Sequence, residues 1–169
     1  SRVVLAECFA LAVLDAGVSV DRLCGPAYKG IPLAAGIALM LNASHGRNVP
    51  FAYNRKEAKD HGEGGSLVGA ELSGNVLITD DVISAGTSVR ESINWITRAG
   101  ARACGVAIAL DRQERGQGKM SAAQEVTSEF GIPVIAIAGL DDLIDFLESQ
   151  SVANIDIEAI RRYRKAYGI

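Results

Sequence analysis

The sequence predicts an α/β protein with a mainly parallel sheet flanked by helices on both faces. "NVLITD" (75–80) and "ACGVAIALD" (103–111) are continuous runs of β-branched or small apolar residues, so neither side of either strand is made for water. These runs alternate with segments whose apolar residues recur at helical spacing, the order that parallel strands need for their crossovers. With 169 residues, 49% of them hydrophobic, the chain can bury one sizeable core and has no surplus for a second, so a single domain over 1–169 is expected.

The elements follow in order. Val3, Val4, Leu5, Cys8, Leu11, Ala12 and Leu14 mark a first helix, which Gly17 stops. A short strand "VDRLCG" (20–25), a helix "GIPLAAGIALMLNASHG" (30–46) and a second strand "NVPFAYN" (48–54) come next. After the 75–80 strand a helix is predicted over Ser88–Gly100. After the 103–111 strand come a helix over Ser121–Phe130 and the strand "PVIAIAG" (133–139). Both helix starts have capping-box spacing, Ser88 with Glu91 and Ser121 with Gln124. "NIDIEAIRRYRKAYG" (154–168) reads as a last amphipathic helix. His45, at a helix end, reads as a surface residue, and Trp95 as core packing.

Composition narrows the class. No apolar run is long enough to cross a bilayer, and Glu7 and Asp15 interrupt the opening helix, unlike a signal peptide. Cys8, Cys24 and Cys104 are odd in number, lie in apolar contexts and lack CxxC spacing, which predicts reduced thiols and a cytoplasmic location. A net charge of -3 argues against a broad nucleic-acid surface.

Three stretches carry chemistry. Asp80 and Asp81 stand at the carboxyl end of a strand, where open α/β sheets bind ligands. Ser84-Ala85-Gly86-Thr87-Ser88 then leads into a helix. Its successive backbone N–H groups and hydroxyls, with Gly86 removing a Cβ, suit a phosphate. The carboxylates would repel that phosphate, so they need ribose hydroxyls or a divalent cation as partner. The pairing describes a sugar phosphate. "GPAYKG" (25–30) presents Lys29 in a tight turn at a second strand end. "NRKEAKDHGEGG" (54–65) sets Arg55, Lys56, Lys59 and His61 before a glycine cluster that cannot hold regular structure, so a flexible loop is expected there. A charge run of this kind is ordinarily a solvated surface, and Glu57, Asp60 and Glu63 nearly balance it.

"VLITDDVISAGTS" (76–88) closely resembles the phosphoribosyl pyrophosphate (PRPP) signature of the type I phosphoribosyltransferases. That resemblance implies the type I phosphoribosyltransferase fold, with Asp80 and Asp81 on the ribose and Val82, Ile83, Ser84, Ala85, Gly86, Thr87 and Ser88 around the 5-phosphate. "GPAYKG" resembles the pyrophosphate loop of the same enzymes, which implies PRPP contacts from Tyr28 and Lys29 and a cis peptide between Ala27 and Tyr28. "NRKEAKDHGEGG" is similar to the flexible catalytic loop of the orotate phosphoribosyltransferases, and "LDRQERG" (110–116) to their orotate-binding segment. By that likeness Arg55, Lys56, Lys59 and His61 serve PRPP, Lys59, His61, Asp80 and Asp81 are catalytic, and Ser84 and Arg112 bind orotate. A guanidinium fork suits a planar carboxylate. Family members also carry a segment ahead of the first helix, with a lysine in a Ser-Gly-Arg setting, that nothing here matches; the chain as given is expected to lack it.

The resemblance implies Mg²⁺-dependent phosphoribosyl transfer from PRPP to orotate in pyrimidine biosynthesis, giving orotidine 5′-phosphate and pyrophosphate. Mg²⁺ would be held mainly through PRPP, with no protein ligand assigned. It also implies a homodimer that lends each catalytic loop to its neighbour's site. Two other readings keep the fold: a purine-type transferase, against which the 54–65 and 110–116 segments count, and a non-catalytic PRPP-sensing regulator, which would need a nucleic-acid surface or an added domain.

Overall fold

The computed structural model of the protein describes residues 2–55, 67–150 and 155–169. Helix α1 (Arg2–Asp15) leads into β1 (Arg22–Gly25), α2 (Gly30–His45), β2 (Phe51–Asn54) and β3 (Leu67–Gly69). Then come β4 (Asn75–Asp80), α3 (Thr87–Arg98), β5 (Arg102–Asp111), α4 (Ala122–Phe130), β6 (Val134–Gly139), α5 (Leu140–Gln150) and α6 (Ile157–Tyr167). The six strands form one sheet in the order β3-β2-β1-β4-β5-β6, parallel except where β3 pairs antiparallel with β2 at an edge.

Why the strands are apolar throughout is visible in the two cores. Val76 and Ile78 of β4 and Val106 and Ile108 of β5 point to one face, where they pack with Val89 and Ile96 of α3 and Val126 of α4. Leu77 and Ala107, the alternate residues, point to the other face and meet Phe9 and Val13 of α1 and Ile37 and Leu41 of α2. A period of two along each strand thus supplies both faces. β1 splits in the same way, Leu23 to the α1/α2 side and Cys24 to the α3/α4 side. Burial pushes the Cys24 thiol up to about 12, so it is an inert core residue.

Several sequence expectations need correction. The chain is helical over 140–150, where no helix was expected, because "PVIAIAG" runs directly into "LDDLIDFLESQ" without a turn signal. β3 also lies outside the expected strands. Ser121 does close a reciprocal capping box with Gln124. Ser88 does not: α3 starts a residue earlier, Gly86 is its N-cap, and the Ser88 hydroxyl turns to Asp80. His45 is half-buried, its ring sharing a 3.2 Å hydrogen bond with Glu7 that ties α2 to α1. No helix of the described residues is long and apolar enough to cross a membrane.

Close packing at the end of β1 depends on Gly30. A Cβ there would lie 2.6 Å from the Thr79 carbonyl oxygen and 2.7 Å from Pro26 Cδ, so only glycine lets α2 begin against the end of β4. Gly30→Ala should therefore cost about 1–3 kcal/mol of stability in urea unfolding, the range for overpacking. A midpoint equal to wild type would show that the turn relaxes freely.

Candidate active site

Two loops meet where the strand order reverses. From β1 the chain turns toward β2, whereas from β4 it turns toward β5, although β1 and β4 are parallel neighbours. Right-handed crossovers then send α2 and α3 to opposite faces, and the carboxyl ends of β1 and β4 open into a crevice.

The loop after β1 is held from beneath. The Ala27 N–H donates to Asn54 Oδ1 at the end of β2 (2.6 Å), and the Gly30 N–H to the Pro26 carbonyl (3.0 Å). The Ala27–Tyr28 peptide is cis, as the resemblance implied. Tyr28 and Lys29 are exposed, and Lys29 Nζ lies 2.6 Å from Asp81 Oδ2, so the β1 and β4 loops touch through opposite charges. That hydrogen bond, and then the Asp81 charge, hold the Lys29 ammonium above its ordinary range.

At the end of β4, Asp80 accepts from the Asp81 N–H (2.9 Å) and from the Ser88 hydroxyl (3.3 Å). Burial pushes its carboxyl above the usual carboxylate range. The Asp81 charge adds to this, while the hydrogen bond from the Asp81 amide opposes it. Ile83 is buried in the core, so only its backbone can serve a ligand, whereas Ser84, Ala85 and Thr87 are exposed. Gly86 takes a left-handed conformation (φ 72°) at the head of α3. Arg90, one helical turn on, donates to the Ala85 carbonyl (2.7 Å) and pairs with Glu129 of α4 (2.7 Å), pinning the loop to its neighbour.

A third loop follows β5. Arg112 Nη2 donates to Ser84 Oγ (2.8 Å) and pairs with Glu114 (3.0 Å), while the buried Arg112 Nε has no acceptor among the described residues. The structure thus brings together Lys29, Asp80, Asp81, Ser84, Ser88 and Arg112, on loops after three different strands. Arg55 begins beyond β2 and lines a cleft of about 730 Å³ with Ala27, Asn54, Thr87, Ser88 and Trp95. Trp95 is therefore not a core residue: it is half-buried on the wall of this cleft. Lys56, Lys59 and His61 lie outside the described residues. Among the described residues, no group of three or more His, Cys, Asp and Glu side chains is arranged to hold a metal ion.

The family model of the phosphoribosyl transferase domain matches residues 5–136. The orotate phosphoribosyltransferase of Chromobacterium violaceum is 60% identical over 165 residues, 98% of this chain and 77% of that protein. The chain belongs to the orotate phosphoribosyltransferases. The family's member from Thiobacillus denitrificans is 58% identical over the same shares of both chains. A crystal structure of the Francisella tularensis orotate phosphoribosyltransferase superposes with a TM-score of 0.82 at 34% identity, covering 99% of this chain and 80% of that one. The fold expected from the sequence is thus the fold of this family.

Sequence reasoning missed Asn54, Arg90 and Glu114. Their partners lie 27, 39 and 2 residues away; Asn54 and Glu114 stood in stretches already singled out, "NRKEAKDHGEGG" and "LDRQERG", but nothing local pointed to the partner of either. Asp80 yields a pH prediction. Its carboxyl titrates higher in the folded than in the unfolded chain, so stability falls as pH rises from about 3.9 through the folded value and stays reduced above it. Asp80→Asn should therefore melt above wild type at pH 7, and the gap should close as both side chains become neutral in acid. A lower melting point at pH 7 would mean that the charge stabilises the loop.

Proposed function

We propose that the chain catalyses Mg²⁺-dependent transfer of the phosphoribosyl group from PRPP to a ring nitrogen of orotate, releasing pyrophosphate. The observation that carries this reading is the junction of Arg112 with Ser84, which sets a guanidinium from the β5 loop beside the hydroxyl-rich loop after β4. Its buried Nε lacks an acceptor among the described residues, and the planar carboxylate of orotate would supply one.

Division of labour follows from charge. The loop over 82–88 takes the 5-phosphate on its backbone N–H groups and on the Ser84, Thr87 and Ser88 hydroxyls. Asp80 and Asp81 accept hydrogen bonds from the ribose hydroxyls and favour positive charge on the sugar ring. Tyr28, Lys29, Arg55 and, from the catalytic loop, Lys56, Lys59 and His61 meet the negative charge that grows on the departing pyrophosphate. Binding must separate Lys29 from Asp81, which frees the lysine for the diphosphate and the carboxylate for ribose. That exchange is favourable because each keeps a partner of suitable charge or hydrogen-bonding type.

Asp80 and Asp81 offer the oxygen donors Mg²⁺ prefers, but two adjacent carboxylates are too few to cage it, so PRPP and water would complete its shell. Held there, Mg²⁺ would supply positive charge against the diphosphate. Orotate is nucleophilic as its anion, so orientation and water exclusion, rather than a strong protein base, carry the acceptor half. We place the enzyme in the cytoplasm, where its three cysteines, all free, stay reduced. A homodimer would let the 55–65 loop close over the neighbouring subunit's site.

The direct test is product formation from PRPP with orotate or hypoxanthine, with Mg²⁺ or with a chelator. Orotidine 5′-phosphate should form only with orotate and Mg²⁺; nucleotide from hypoxanthine at an equal rate would sink the choice of base. Arg112→Lys should raise the KM for orotate at least tenfold, since a point donor cannot replace a fork whose charged hydrogen bonds are worth about 1.5–3 kcal/mol. A raised KM for PRPP instead would move Arg112 to the other subsite. Asp81→Asn and Lys59→Ala homodimers should each be nearly inactive, yet refolding them as an equal mixture should restore roughly a quarter of wild-type activity, because half the dimers are mixed and each regains one native site. Activity remaining at single-variant level despite subunit exchange would put the loop in its own subunit's site.

A further inference from the structure

Helix α6 has no buried residue, yet it is tied to the site. Ion pairs dock it on α5, Arg164 with Asp141 at 2.6 Å and Arg161 with Glu148. Its C-terminal end grips the loop after β5: the Arg115 N–H donates to the Tyr167 carbonyl (2.8 Å) and the Ile169 N–H to the Gln113 carbonyl (3.2 Å). From the same helix, the Tyr163 hydroxyl donates to Glu114 Oε1, while Glu114 Oε2 takes Arg112 Nη2 at 3.0 Å. The two oxygens of one carboxylate are thus shared between the helix and the arginine. That carboxylate cannot rotate without losing one of them.

The consequence for Arg112 is geometric. Nη2 donates to Ser84 of the β4 loop and is ion-paired with Glu114, so the guanidinium is held from two sides while its buried Nε has no acceptor among the described residues. A long side chain left to itself would lose rotamer freedom when a ligand bound; one already held does not. Glu114 pairs with a different nitrogen from that unsatisfied Nε. The hydrogen bond to Glu114 also holds the Tyr163 phenol above its ordinary range.

We propose that Glu114, oriented by Tyr163 of α6, is a positioning residue for base recognition: it holds Arg112 ready for the orotate carboxylate. This rests on the reading that Arg112 takes that carboxylate. Base affinity is then set partly from a helix that touches no substrate, by a hydroxyl 51 residues away in the chain.

The test compares Tyr163→Phe, Glu114→Ala and Arg112→Ala by varying orotate at saturating PRPP and the reverse. Tyr163→Phe deletes one exposed hydroxyl and should fold as wild type. It should raise the KM for orotate about fivefold, the size of one net hydrogen bond, with the KM for PRPP unchanged. Glu114→Ala should raise it further, and Tyr163→Phe should add nothing once Arg112 is alanine. If Arg112→Ala weakens orotate binding but neither Tyr163→Phe nor Glu114→Ala does, the positioning role is wrong while the reading of Arg112 stands. A lower orotate KM in Glu114→Ala would make Glu114 a competitor of the ligand and overturn the proposal. If Arg112→Ala itself leaves the orotate KM unchanged, both fall.

Discussion

Everything at this site depends on the parallel pairing of β1 with β4. Those strands lie side by side, yet the chain leaves them in opposite directions, so neither following helix can close over the ends they share. The crevice follows from topology before any side chain is chosen. What the sequence adds is opposite charge on its two lips, Lys29 from β1 and Asp81 from β4, near enough to pair at 2.6 Å. Gly30 makes that approach possible, because any Cβ would strike the end of β4.

The supports of the site come from behind it. Asn54 holds the β1 loop, Arg90 and Glu129 hold the loop after β4, and Glu114 with Tyr163 holds the arginine of the β5 loop. Each support joins two elements distant in the chain. Exposed ion pairs are individually weak, about 0–1 kcal/mol, so their effect lies in fixing orientation more than in stability. Asp80 shows the opposite balance: burial disfavours its charge, and a carboxylate kept there at neutral pH is held at a cost to folding. Such a cost is expected where a group faces a ligand rather than the core.

The core was legible because its signal is local and redundant. Alternating burial along β4 and β5 leaves both faces apolar, and such runs between helical periods admit few architectures. Asp80, Asp81 and residues 84–88 stood out in the sequence because negative charge beside a small, hydroxyl-rich turn has to be explained within one loop. Ser88 misled for a related reason. Its spacing to Glu91 fits a cap, but a serine beside a half-buried carboxylate has a better partner, and the turn at Gly86 starts the helix without it. Trp95 misled because bulk predicts burial only where no cleft opens beside it. Helix α5 escaped because β6 passes into it with no intervening turn, and Arg90 and Asn54 because their partners are far away in sequence.

We propose that the acidic pair, not the cationic groups alone, recognises PRPP through its ribose. Isothermal titration of PRPP in the presence of Mg²⁺ into folded wild-type and Asp81→Asn protein tests it most directly. A loss of at least tenfold in PRPP affinity, with orotate affinity unchanged, is the predicted result. Asp81→Asn protein that bound PRPP as tightly as wild type, or more tightly as a repelling charge was removed, would contradict it.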